Sequence, residues 1–354
     1  MLYQTKNQHG GDVYGGGITL DFSANTNPLG TPPGVLEAVC RALPRLHRYP
    51  DPYCRRLVQA IAGHEQVPAS YILCGNGAAD LIYTYCAALR PRMAVELAPT
   101  FVEYGAGLAQ VGCRVERYFL HQAQNFDLDE RFLSFLEEKK PEVVFLCNPN
   151  NPTGRLIPLP LLEQILQYCV AQGARLFLDE CFLDLTEDGV SAKSLLAAHP
   201  ELLILKAFTK SYGMAGIRLG YCLCADNALL RRMAAASPPW NVSSPAQSAG
   251  VAALAERDFL QRTLSLVHTE RRWLTDNLTA LGFWVCPSHA NYLLFRGPLG
   301  LREGLLQQGI AIRGCGNYNG LGDGWYRIAV RPHGENEALI TAIRQFCKEK
   351  SLWQ

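Results

Sequence analysis

Short apolar runs alternate with segments of helical periodicity through the middle of the chain. Runs over 71–74, 94–97, 143–147, 176–178, 202–205 and 219–223 read as strands. Apolar residues recur at three- and four-residue spacing over 78–89 and 160–172, which predicts helices. Strands apolar at nearly every position must be covered on both faces, so the pattern predicts an α/β fold with a mainly parallel central sheet. Ligands on such sheets sit at the carboxyl ends of the strands. Beyond about residue 245 the texture changes. A long helical stretch over 246–281 leads to shorter strand candidates at 291–295 and 326–330 and a last helix over 335–348. The expected division is therefore an amino-terminal arm over 1–40 that joins a small α+β domain, a large domain over 41–245, and the small domain over 246–354.

Composition narrows the partners more than the fold. The chain has 354 residues, with 33 basic against 32 acidic, and a net charge of +1 gives no electrostatic case for nucleic acid or an anionic membrane. No apolar run approaches the length of a bilayer span, and the start lacks the pattern of a signal peptide, so a soluble cytoplasmic protein acting on small molecules is expected. The thirteen cysteines are scattered singly, an odd number with no CxxC pair. They read as small buried apolar residues, with Cys222 and Cys224 on one face of a strand, and no metal site is expected.

Four strand ends carry chemistry. CGNGAAD (74–80) follows a strand and opens a helix, so amides near Gly77 and Ala78 can face a phosphate; a strand–helix turn also favours glycine on steric grounds alone. FLCNPNNPTG (145–154) ends a strand in a proline-stiffened loop that can present the Asn151 amide in a set direction. RLFLDEC (175–181) places Asp179 at a strand end, where a carboxylate needs a cation or donors unless it caps a helix. Finally LKAFTKSYGMAGIRLGY (205–221) puts Lys210 after an apolar run, where desolvation lowers an amine's pKa and makes it a nucleophile towards carbonyls. Thr209 and Arg218 add a hydroxyl and a guanidinium suited to a phosphate. Lysine, acid, amide and phosphate cradle in this order describe a site for pyridoxal 5′-phosphate.

Those motifs, with RYPD at 48–51, resemble the fold type I, aspartate-aminotransferase-like family, on the branch near histidinol-phosphate aminotransferase, over nearly the whole chain. The resemblance implies that Lys210 holds the cofactor, Asp179 pairs with its ring nitrogen and Asn151 meets its ring hydroxyl. It also implies that Gly77, Ala78, Thr209 and Arg218 hold the phosphate and that Phe101 stacks on the ring. Tyr49 would reach the cofactor of a neighbouring subunit, which implies a homodimer with active sites at the interface.

Further stretches, among them HGGDV (9–13), LDFSANTNPLG (20–30), QVPAS (66–70), PPWNV (238–242), IRGCGNYNGL (312–321) and WYRIAVR (325–331), are similar to the threonine-phosphate decarboxylase branch. Phe182 stands where aminotransferase relatives usually carry a tyrosine. This branch implies decarboxylation of L-threonine O-3-phosphate, a small phosphorylated amino acid, to 1-amino-2-propanol O-2-phosphate for cobalamin biosynthesis; histidinol-phosphate transamination is the alternative. Arg313 and Arg327 are the expected anchors for the substrate's two anions. His9, Gly10 and Gly11 would close over its phosphate, Asn27 and Gly30 would line the mouth, and Asn151 would touch substrate as well as cofactor. Arg331 matches too, but reads equally as a surface charge.

Overall fold

The structure, a computed structural model, describes residues 9–350. Its centre is a seven-stranded sheet in the spatial order Ile72–Gly75, Gly220–Cys224, Leu202–Ala207, Arg175–Asp179, Val143–Cys147, Met93–Ala98 and Arg114–Phe119. Gly220–Cys224 runs antiparallel to both its neighbours, and the other adjacent pairs are parallel. Side chains alternate across a strand, and both sides of this sheet are dry. Val144, Leu146, Leu176, Leu178, Leu202 and Ile204 enter one hydrophobic cluster with Leu57 and Ile165. Val143, Phe145, Phe177, Leu203 and Leu205 enter another, with Leu81, Tyr85 and Tyr104. Each face therefore carries its own helices, and the continuous apolar runs follow from that coverage. Phe145 and Phe177 stack with centroids 4.7 Å apart and sit fully buried, so Phe177→Ala should cost about 3–5 kcal/mol. Cys222 and Cys224 lie on one side of their strand in the second cluster.

The carboxyl ends of the parallel strands share one edge, and the loops leaving that edge carry the candidate chemistry. Beside it stands a four-stranded antiparallel sheet in the order Arg313–Gly314, Trp325–Ala329, Tyr292–Arg296 and Trp284–Val285. Its inner residues Leu293, Phe295 and Ile328 pack with Leu274 and Leu278 of the helix Phe259–Ala280 and with Leu339 and Ile343 of His333–Glu349. A two-residue strand, Leu20–Asp21, pairs in parallel with Ile310–Ala311.

The helical stretch expected over 246–281 is two helices, Ser244–Ala253 and Phe259–Ala280, separated by a polar turn containing Glu256 and Arg257. The first packs on Pro33–Ala42 and the second on the smaller sheet, so the break lets one apolar stretch serve two bodies. Arg114–Phe119 is a strand that the apolar pattern does not reveal, because as an edge strand it is at most half-buried. Among the described residues, no helix is long and apolar enough to cross a membrane.

Candidate active site

A cavity of about 430 Å³ opens at that sheet edge. Lys210, Arg218, Arg313 and Arg327 line it against two carboxylates, Asp179 and Glu103, so its chemistry favours an anionic ligand. The volume falls within the range of small-molecule sites.

Lys210 sits on a single helical turn, Phe208–Ser211, that follows the strand Leu202–Ala207. Burial, with the nearby Arg327 and Arg218 cations, lowers its pKa to about 8. A far larger share of the amine is therefore neutral near neutrality than in an exposed lysine. Its Nζ lies 5.5 Å from the centroid of the Phe182 ring.

Asp179 ends its strand inside the cavity wall. Its carboxylate accepts a hydrogen bond from the Tyr104 hydroxyl at 2.6 Å and one from the Cys181 N–H at 2.9 Å. Burial raises the pKa of Asp179, while these two donors and the charge of Lys210 oppose that rise. A cation placed against this carboxylate would complete its neutralisation.

The helix Ala78–Leu89 begins at Gly77 with no side-chain cap, so its first N–H groups are left for an anion. Gly77 has φ +84°, and a Cβ there would stand 2.5 Å from Arg218 Nη2, so the guanidinium occupies the space glycine leaves. Thr209 completes this corner, and Phe101 forms part of the opposite wall, edge-on to Tyr104 at 5.6 Å.

Asn151 and Arg327 meet directly: Arg327 Nη1 donates to Asn151 Oδ1, and its Nη2 donates to the Ser23 carbonyl at 2.9 Å. Nη1 also donates to the Tyr318 hydroxyl at 3.3 Å, and among the described residues the buried Arg327 Nε has no hydrogen-bond partner. Arg313 faces Arg327 across adjacent strands and donates to Asn317 Oδ1 at 2.8 Å. His9 Nε2 lies 2.7 Å from Glu103 Oε1, and the Tyr83 hydroxyl donates to the other Glu103 oxygen at 2.5 Å. Gly10 is pressed on Ser23, where a Cβ would stand 2.0 Å from the carbonyl oxygen.

The cavity thus brings together Lys210, Asp179, Ala78, Phe101, Asn151, Thr209, Arg218, His9, Gly10, Arg313 and Arg327, with Gly77 behind Arg218. Four candidates stand elsewhere. Asn27 is buried away from the cavity, its amide donating to the Ser211 carbonyl at 2.8 Å and to Thr263 Oγ1 at 2.9 Å. Gly30 is exposed, and its carbonyl packs against Gly213. Gly11 borders a neighbouring cavity, its N–H donating to Ser23 Oγ. Tyr49 is 79 % exposed and stacks on Trp240 at 4.6 Å. Arg331 pairs with Glu335 at 3.0 Å near the start of the last helix, outside the cavity.

Sequence reasoning missed Asn25, whose side chain is buried, lines the cavity and has neither amide atom partnered among the described residues. Its signal was present in LDFSANTNPLG, two positions before the asparagine that was favoured. Tyr104 was missed as well, although it stands three residues after Phe101 in APTFVEYG.

The chain matches the family model described as aminotransferase class I and II over residues 18–346. It is 40 % identical over 331 residues to a threonine-phosphate decarboxylase of Salmonella typhimurium, covering 92 % of this chain and 90 % of that one. A histidinol-phosphate aminotransferase of Geobacillus sp. is 33 % identical, with 96 % and 93 % covered. Among solved structures, the histidinol-phosphate aminotransferase of Clostridium acetobutylicum superposes with a TM-score of 0.87 at 28 % identity, over 93 % of this chain and 99 % of that one. With the family model spanning nearly its whole length, the chain belongs to the aminotransferase class I and II family.

Proposed function

We propose that the protein is a pyridoxal-phosphate-dependent decarboxylase of L-threonine O-3-phosphate. The cavity fits the cofactor on its own geometry. Lys210 is a buried amine of lowered pKa, Asp179 a carboxylate held for a cation, and Arg218 with Thr209 and the uncapped helix start form an anion corner. The observation that carries the substrate is what remains: Arg313 and Arg327, adjacent across two strands, face the same cavity once Arg218 is assigned to the cofactor's phosphate. Two guanidinium forks suit a substrate bearing both a carboxylate and a phosphate. The 40 % identical relative carries the name of that activity.

When bound, pyridoxal phosphate supplies an electron sink for the pair left on Cα as carbon dioxide departs. The chain's residues do the rest. Arg327 would hold the substrate carboxylate, and its tie to Ser23 and Asn151 fixes the angle at which the guanidinium is presented. Asp179, held by the Tyr104 hydroxyl and the Cys181 N–H, would be the residue that pairs with the cofactor's ring nitrogen. Lys210 would be the residue that holds the cofactor, and its amine lies in the cavity where it could carry a proton to the substrate. Phe101 and Phe182 wall the cavity, and His9 with Gly10 lie at its edge, where they would cover the substrate phosphate.

The proposal includes a homodimer, with the large and small domains meeting near residue 245, in the cytoplasm. Exposed Leu43, Leu46 and Tyr49 lie near a groove lined by Arg41, Arg45 and Arg48, the kind of surface a second copy would cover. The test is product analysis. Purified protein with pyridoxal phosphate and threonine phosphate should release carbon dioxide and the amine phosphate. Glutamate formed from histidinol phosphate and 2-oxoglutarate, with no carbon dioxide from threonine phosphate, would replace the decarboxylase reading by the aminotransferase one.

A further inference from the structure

Two segments must be set against each other for the site to work: the strand end carrying Asp179 and the turn carrying Lys210. The structure joins them through one side chain that lines no part of the cavity. Asp184 lies five residues beyond Asp179, in a 3₁₀ turn over Leu183–Leu185. Its Oδ1 accepts from Lys206 Nζ at 2.8 Å, and its Oδ2 accepts from Ser211 Oγ at 2.8 Å. Lys206 is in the strand that enters the Lys210 turn, and Ser211 is the residue that leaves it. A single carboxylate thus grips both ends of the six-residue segment that presents the lysine.

The grip is backed from two sides. Lys206 Nζ also stands 3.2 Å from Glu65 Oε1, and Glu65 is held by Lys193 at 2.8 Å and by the Tyr221 hydroxyl. The Ser211 carbonyl accepts from Asn27 Nδ2, whose second donor contact goes to Thr263 on the long helix. Lys206, Ser211, Asn27, Glu65 and Thr263 are all buried. A polar cluster at that depth holds its geometry rigidly only when its members are paired, and these are paired with one another.

We infer that Asp184, Ser211 and Asn27 are positioning residues that fix where Lys210 Nζ stands relative to Asp179. This accounts for Asn27, which the chain spends on the lysine turn rather than on the cavity mouth. The inference deepens the proposed function but rests only on the cofactor half of it. Its test is therefore cofactor capture, read without any substrate.

Asp184→Asn disturbs the buried Lys206 as well and could fail by unfolding, so Ser211→Ala is the decisive variant. It leaves the Lys206–Asp184–Glu65 charges in place and removes only the link to the lysine turn. The rate at which the cofactor-free protein forms its absorbance band with added pyridoxal phosphate should fall about tenfold. With the proposed substrate, kcat should fall by a factor between about ten and a hundred, the range expected when a reacting group is displaced by up to about 1 Å, while KM holds. Ser211→Thr, which keeps the hydroxyl, should restore both. Wild-type capture by Ser211→Ala, or no recovery in Ser211→Thr, overturns the inference. Failure to decarboxylate threonine phosphate with normal capture in the wild type would instead overturn the substrate assignment and leave this inference standing.

Discussion

Burying Lys210 lowers its pKa from 10.5 to about 8, and that shift has a measurable consequence for the protein without cofactor. The unfolded chain binds a proton at this lysine more tightly than the folded chain does. Stability should then rise with pH wherever the unfolded state carries the extra proton. The cost of burying the ammonium is fully present below about pH 8 and fades as pH climbs towards the unfolded value near 10.5. At about 1.36 kcal/mol for each tenfold change in proton affinity, the full cost is about 3 kcal/mol. Lys210→Met removes the titrating group and keeps a side chain of similar reach. Cofactor-free Lys210→Met should accordingly be more stable than the cofactor-free wild type by about 3 kcal/mol near pH 7, with most of that advantage gone near pH 10. The measurement is a pair of denaturant titrations at each pH, comparing midpoints at a common m-value. Packing differences between lysine and methionine add a constant at both pH values, so the change with pH is the reading. An advantage of equal size at both would refute the lowered pKa, whatever its sign.

Two further perturbations separate roles inside the cavity. Tyr104→Phe removes a hydrogen bond to a buried carboxylate, worth about 1.5–3 kcal/mol, and should push the Asp179 pKa further up. The acid limb of the kcat–pH profile should move to higher pH, and an unmoved limb would detach Tyr104 from the Asp179 charge. Asn25→Ala should raise the substrate KM by roughly tenfold, the effect of about 1.4 kcal/mol in binding, while leaving cofactor-free stability unchanged or higher, because the deleted amide has no partner among the described residues. A KM within twofold of wild type would remove Asn25 from the substrate site.

Much of this was legible in the sequence because the strands under the site are buried on both faces. Val143–Cys147 is apolar throughout and Leu202–Ala207 is apolar at every position but Lys206, so their carboxyl ends, and with them Asn151 and Lys210, could be placed from the pattern alone. What the sequence concealed depends on packing between distant segments. Asn25 and Asn27 are the same residue two positions apart in one loop. Only the arrival of Ser211 and Thr263 decides that Asn27 is satisfied inside the protein and Asn25 is left to the cavity. Asp184 likewise reads as an ordinary acidic residue until Lys206 and Ser211 are seen at its two oxygens. Arg114–Phe119 was hidden for the opposite reason, since an edge strand has no need of a continuous apolar run.

The parallel pairing of Leu20–Asp21 with Ile310–Ala311 makes one wall of the cavity depend on closing a very long loop of chain. The Thr19 hydroxyl donates to the carbonyl of Gly309, 290 residues away, and the Ala329 N–H donates to the Phe22 carbonyl. The segment that brings Ser23, Ala24 and Asn25 to the cavity is thus fastened by partners far away in sequence. The strand ends that carry Asp179 and lead to Lys210 belong to the seven-stranded sheet, while Arg313 and Arg327 stand on the smaller one. That one long-range pairing therefore secures the wall of the cavity where Ser23 holds Arg327, and not the strands beneath Asp179 and Lys210.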